Sequence, residues 1–254
     1  MILRRVISHV RNQEWTAIGI DFLIVVVGVF VGLQVSNWNA AQAERARERL
    51  LLSELRAELA ESIDQLNIQV NAFNQVGTSG KRAIAFLDAG EGCDDDCGDI
   101  IVDFFQASQW QQVVVSRSTY DEMRRNGWPR NRAIVDALEA YHRQADQIAR
   151  ALAEPPAYRS LVRGLIPLAI HEPYWLDCFE LKDGEEIYIE ECLEGVDSEL
   201  SAEGVAAIVA HPDVYPALTE WAGYTNIVHV SLGNLIAAAE RAIALIDVEL
   251  GEEL

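Results

Sequence analysis

The sequence predicts a mainly α-helical protein. An N-terminal transmembrane helix continues into an antiparallel helical bundle, with a small β-hairpin near residues 174–194. Three observations predict this. One unbroken apolar stretch lies between Trp15 and Trp38. Three long segments place apolar residues at steps of three and four, the spacing of one helix face. A single segment, YWLDCFELKDGEEIYIEECLEG, instead alternates aromatic and β-branched residues around Lys182-Asp183-Gly184, as paired strands do.

The span comes first. AIGIDFLIVVVGVFVGLQV runs from Ala17 to Val35, and its apolar core from Phe22 to Leu33 is continuous. At ~1.5 Å per residue the Trp15–Trp38 interval covers ~34 Å, about one bilayer core. Tryptophans at both ends suit the two membrane interfaces. The expected organisation is a short cytoplasmic tail over 1–16, a transmembrane helix over 17–37 and an extracytoplasmic helical-bundle domain over 38–254. Ala41-Gln42-Ala43 fits a small-x-small cleavage site, but it lies well past a long span that Asp21 interrupts near its start, so a retained anchor is expected.

Asn39 to Phe73 contains no Gly or Pro, and Leu52, Leu55, Leu59, Ile63, Leu66, Val70 and Phe73 form one stripe. Gly77 and Gly80 are expected to end that helix, with Lys81–Asp88 a short separate one. Glu91–Asp99 reads as a loop. Ile100–Gln111 suits a buried helix, and Val113–Val115 a strand. Thr119 and Glu122 have capping-box spacing at the start of another helix, which Asn126-Gly127 stops. Asn131 to about Ala153 carries the stripe Ile134, Leu138, Tyr141, Ala145, Ile148 and Leu152, broken by Pro155-Pro156. A helix over Ser160–Ile170 is limited by Pro167. Ser201 is expected to cap a short helix ending near His211-Pro212. The last long helix, from about Pro216, shows Leu232, Ile236, Ala239, Ile243, Ile246 and Leu250. Three such stripes need one another for burial, and the first and last long helices are expected to pack together.

Charge excludes one class of partner. The chain carries 40 acidic and 20 basic Lys/Arg side chains, a net −20. Residues 1–43 hold Arg4, Arg5 and Arg11 against Glu14 and Asp21, a balance of +1, which leaves −21 on the remainder. Such a surface repels nucleic acid and anionic lipid headgroups, and it suits solubility. The cysteines, Cys93, Cys97, Cys178 and Cys192, are even in number and all beyond the span. They suggest disulfides in an oxidising compartment. Sequence neighbours give Cys93–Cys97 and Cys178–Cys192, with two other connectivities open. Arg4, Arg5 and Arg11 on one side of the span nearly balance Arg45, Arg47 and Arg49 on the other. The cysteines break the tie, placing the N-terminus in the cytoplasm and the large domain outside an inner membrane, in the periplasm if the cell is Gram-negative.

Two stretches carry a resemblance. Phe22–Leu59 contains Gly28, Gly32, Leu33, Gln34, Asn37, Trp38 and Asn39 in an LQVxNWN-like exit from the span. Ser118–His142 contains Thr119, Tyr120, Asp121, Glu122, Met123, Asn126 and Gly127 in a TYEEL…SG-like turn. In these the chain resembles an uncharacterised family of bacterial single-pass membrane proteins, classed as a domain of unknown function. Asp121 and Met123 stand where Glu and Leu are usual, and Asn126 where Ser is common. The resemblance implies a membrane-anchored helical protein and no known reaction.

Few residues suggest chemistry. Asp21 is a carboxylate inside the span, where charge is costly, so it is the candidate intramembrane functional residue. It resembles the acid near the start of the single span of proton-driven stator and biopolymer-transport proteins. Gly28-x-x-x-Gly32 permits close helix–helix approach, hence self-association through the span. Asp94, Asp95, Asp96 and Asp99 lack the alternating ligand spacing of a calcium loop. His9, His142, His171, His211 and His229 are dispersed without metal-site spacing, and no P-loop, G-x-S-x-G or dinucleotide glycine pattern occurs. Tyr120 and Trp128 read as core anchors. No catalytic residue, cofactor or metal is expected. The expected role is a non-enzymatic accessory or protein-interaction subunit of a membrane complex. Its partners would be membrane lipid, other membrane or periplasmic proteins and a second copy of itself. The alternatives are an ion-driven complex using Asp21 as proton carrier and a small-ligand sensor.

Overall fold

The fold comes from a computed structural model that describes residues 15–90, 92–93, 97–182, 185–189, 192 and 198–251. Arg4, Arg5 and Arg11, Asp94–Asp96 and Asp183-Gly184 lie outside the described residues.

Among the described residues, eight helices and one hairpin follow in order: α1 Trp15–Ala89, α2 Cys97–Gln106, α3 Ser118–Arg125, α4 Arg132–Ala151, α5 Ala157–Leu165, α6 Leu168–Asp177, β1 Phe179–Lys182, β2 Glu185–Tyr188, α7 Ser198–Ala210 and α8 Val214–Leu250. The mainly α class with one small antiparallel hairpin is as expected. The chain divides into two compact units, Met1–Leu52 and Ser53–Leu254, and α1 contributes to both.

In the first unit the large apolar side chains from Phe22 to Val35 are all 45–70 % exposed. A helix that lies in the core of a water-soluble fold spends such residues on neighbours; this one does not. α8 is also long and apolar enough to cross a membrane, but about a third of its apolar stretch is buried and none of α1's is.

In the second unit α8 runs antiparallel to both α1 and α4. Arg56 pairs with Asp247, while Phe73 meets Trp221 edge-on at 6.4 Å. Asn131 Nδ2 donates to Glu249 at 2.7 Å, and Gln144 Nε2 to the Ser231 carbonyl at 3.4 Å. The stripes make the core: Leu55, Leu59, Leu66 and Phe73 from α1; Ile134, Leu138, Tyr141, Ala145 and Ile148 from α4; Leu232, Ala239 and Ile246 from α8. On α8 the buried face is wider than the stripe, because Leu235, Ala238 and Ala242 face the neighbours as well. Each buried large apolar side chain contributes about 1.5–3 kcal/mol, so three facing stripes outweigh any local propensity.

Gly77 and Gly80 do not end the first long helix, which continues to Ala89 and absorbs the separate Lys81–Asp88 helix. They serve close approach. A Cβ at Gly77 would lie 2.8 Å from Thr225 Oγ1, and one at Gly80 3.1 Å from the Cβ of Ala222. Gly90, with φ +62°, supplies the actual stop. Gly77→Ala should therefore destabilise the second unit by about 1–3 kcal/mol, the range of an overpacked contact. Gly164→Ala in α5, where a Cβ meets nothing within 4 Å, should stabilise it by up to about 1 kcal/mol. Paired urea unfolding curves check the contrast, and equal effects at the two sites would refute it.

Other boundaries shift for identifiable reasons. The buried helix starts at Cys97 and ends at Gln106, and Val113–Val115 form no strand. The Asn131 side chain accepts the N–H of Ala133 and starts α4. Gly127 at φ +78° closes α3. Ser201 is not a cap: α7 begins at Ser198, and Ser201 is buried within it. Pro167 separates α5 from α6 rather than ending one helix at Ile170. Tyr174–Asp177 finish α6, so the hairpin is shorter than the alternating segment. Its register pairs Phe179 with Tyr188 and Lys182 with Glu185.

Candidate functional site

The span residues singled out by sequence all lie on open helix. Asp21 is exposed, and a Cβ at Gly28 or Gly32 would meet nothing within 4 Å. The four cysteines pair as Cys93–Cys97 and Cys178–Cys192, with Cα–Cα distances of 4.9 and 5.2 Å. Tyr120 and Trp128 are buried, as core anchors are. Among the described residues no three His, Cys, Asp or Glu side chains cluster in a way that could hold a metal ion.

The two distinctive sequence motifs meet in space through one carboxylate. Glu58, at the end of the first, accepts from Ser118 Oγ at 3.0 Å, the Thr119 backbone N–H at 3.2 Å and Thr119 Oγ1 at 2.6 Å, all in the second. The helix-terminal residue Arg117 supplies no side-chain cap to α3. The capping box expected of Thr119 and Glu122 is thus replaced by a cap from another helix, because packing brings a stronger acceptor to the same orphan N–H. Burial pushes the Glu58 carboxyl upward, but hydrogen bonds from Thr119, Ser116 and Ser118 outweigh it and hold the group below its ordinary value of 4.5.

Beside this junction His142 is buried on α4. It stacks on Tyr120 at 5.2 Å, and Tyr141 meets it edge-on at 5.0 Å. Tyr120 donates its hydroxyl to Glu139 at 2.8 Å. Burial and then the Arg117 charge push His142 down to about 4, against the opposing pull of Asp121, Asp146 and Glu139. Both groups therefore hold fewer protons folded than unfolded, and stability falls with acid. The His142 contribution is complete above about pH 6.5 and is lost as pH falls toward 4; the Glu58 contribution is lost below about 4.5. His142→Phe should flatten the unfolding free energy between pH 6.5 and 4, and Glu58→Gln should flatten it below 4.5. Denaturant midpoints across pH measure both, and parallel curves for wild type and His142→Phe would exclude the assignment.

A groove runs between α4 and α8 on the outside of the core. It holds two adjoining cavities of about 410 and 420 Å³ that share Ala151, Tyr224 and Ile227. Glu154 and Glu220 line one, with Trp221 at its floor; Arg143, Gln147 and Asn234 line the other. Ile227 is 62 % exposed there. The volumes suit a few side chains of a partner or a small ligand. Tyr224 and Ile227 sit at helical spacing off the α8 core stripe, the one sequence signal that could have marked this groove.

Comparison with family models, curated proteins and solved structures finds no match.

Proposed function

We propose that the chain is a single-pass inner-membrane protein, N-terminus in the cytoplasm. Its helical unit stands in the periplasm and acts as a non-enzymatic accessory subunit that binds other membrane or periplasmic proteins. One observation carries this reading: the apolar side chains from Phe22 to Val35 are uncovered on a helix that continues past Ser53. Leaving that surface in water would cost about 25 cal/mol for each Å² of apolar area, so it needs lipid or protein around it. The two disulfides support the oxidising side for the second unit. The α4–α8 groove supports partner binding, and the resemblance to uncharacterised single-pass proteins points the same way.

Alkaline carbonate extraction should leave the chain in the membrane pellet, while a Val26→Arg/Phe30→Arg variant should lose most of that retention, since each arginine adds about 2.5–3.5 kcal/mol near the centre of a span. Crosslinking in native membranes should then capture defined partners. A wild-type chain released by carbonate overturns the anchor, and one that purifies alone from mild detergent overturns the accessory role.

A second reading is favoured by Asp21 alone, an exposed carboxylate and the one charged side chain between Ala17 and Val35. In an ion-driven complex Asp21→Asn would abolish function with assembly intact, and normal function in that variant removes it.

A further inference from the structure

Several arginines described in the second unit answer an acid. Arg56 pairs with Asp247, Arg82 with Asp103, Arg117 with Asp146 and Arg132 with Asp136. Arg159 and Arg163 on α5 do not. They stand four residues apart on one helix face and are both half-buried. Arg163 Nε donates to Ser108 Oγ at 2.8 Å and Nη2 to Gln109 Oε1 at 2.9 Å. Arg159 Nη1 donates to the Ser108 carbonyl at 3.0 Å and reaches the same Gln109 oxygen at 3.5 Å. Every one of these acceptors is neutral. Two like charges thus share one amide oxygen, with no carboxylate within ion-pair distance of either among the described residues.

The acid that acts on both is Glu186, but it is engaged elsewhere: Tyr188 donates its hydroxyl to it at 2.8 Å and Gln111 Nε2 at 3.2 Å. The guanidinium of Arg163 lies 4.9 Å from the ring centre of Phe105 and 5.2 Å from that of Trp175, contacts that hold its plane in place. Burial and then the Arg159 charge push Arg163 down to about 10, and burial lowers Arg159 as well. In a chain with twice as many acids as bases, a half-buried, acid-free arginine pair is an arrangement that an incoming anion would relieve. Arg159 Nε and Nη2 and Arg163 Nη1 have no hydrogen-bond partner among the described residues, and these are the fork donors that match an oxyanion.

We propose that Arg159 and Arg163, fixed by Ser108, Gln109 and the Phe105–Trp175 shelf, form a binding site for a small doubly charged oxyanion, a phosphate or a dicarboxylate. The site lies wholly in the second unit and holds whether or not the first is an anchor. If the arginines served only to hold residues 108–109 in place, removing them would lower stability without changing any response to anions.

Inorganic phosphate and succinate, titrated separately into the full chain in neutral-detergent micelles at constant ionic strength, provide the test. Thermal midpoints and tryptophan emission, to which Trp175 contributes, are the readouts. A saturable rise in midpoint with either anion, beyond a chloride control, is expected; which anion acts identifies the ligand class. Arg163→Lys, which keeps the charge and loses the fork, should weaken the apparent affinity at least tenfold. Arg159→Gln should abolish the response. No rise in the wild type, or an equal rise in a folded variant, would overturn the proposal.

Discussion

Trp221→Ala should lower the unfolding free energy of the helical unit by about 3–5 kcal/mol, the range for deleting a large buried aromatic side chain. Trp221 is only 5 % exposed on α8. Its ring meets Phe73 of α1 edge-on, stacks on Tyr224 at 6.0 Å, and donates Nε1–H to the Ala107 carbonyl at 2.9 Å. One side chain therefore joins α1, α8 and the irregular segment that follows α2. The alanine removes two aromatic contacts and strands a buried carbonyl at once. Trp221→Phe separates the parts: it keeps most of the packing and loses the hydrogen bond, so about 1–3 kcal/mol is expected. Urea unfolding of both variants measures the two terms. A loss under 1 kcal/mol for the alanine would show that the three elements are not held at this point.

Removing the Cys178–Cys192 bridge is the second large effect. The bridge closes a chain segment of sequence separation 14, and Cys178 is fully buried where α6 ends. Loop-closure entropy for that length is about 3 kcal/mol, so Cys178→Ala/Cys192→Ala should destabilise the unit by that amount. The same bridge bounds the hairpin, because the Ile189 N–H donates to the Cys178 carbonyl at 3.0 Å. Tyr188, buried and next to that bond, should lose its protection from hydrogen exchange in the double variant. Reductant should reproduce the loss in the wild type and lower the double variant much less, since only the Cys93–Cys97 bridge is left there to open. Cys93–Cys97 closes a much shorter loop, so its removal should cost less. Identical unfolding curves with and without reductant would mean the bridges contribute nothing.

Helical class, the three long stripes and their mutual packing were legible because burial imposes a period of 3.6 on any helix with one wet face. Ile134, Leu138, Tyr141, Ala145, Ile148 and Leu152 are all buried as their spacing requires. The favoured cysteine pairs were readable for a simpler reason: near neighbours in the chain meet most often. Glu58, by contrast, looks like one acid among many in a charged helix. Nothing local marks it as the cap of α3, sixty residues on. Gly77 and Gly80 were misread because a glycine that permits close approach and one that ends a helix are the same letter.

By itself the sequence determined that this protein has an apolar stretch of bilayer length carrying a single charge, Asp21, an acidic remainder and long segments with one apolar face each. All of these are sums or periods over neighbouring residues. Which helix lies against which glycine, which carboxylate caps α3, and that Arg159 and Arg163 stand together without an acid were decided only by the tertiary structure. Those outcomes depend on distances between residues far apart in the chain, and no local pattern encodes them.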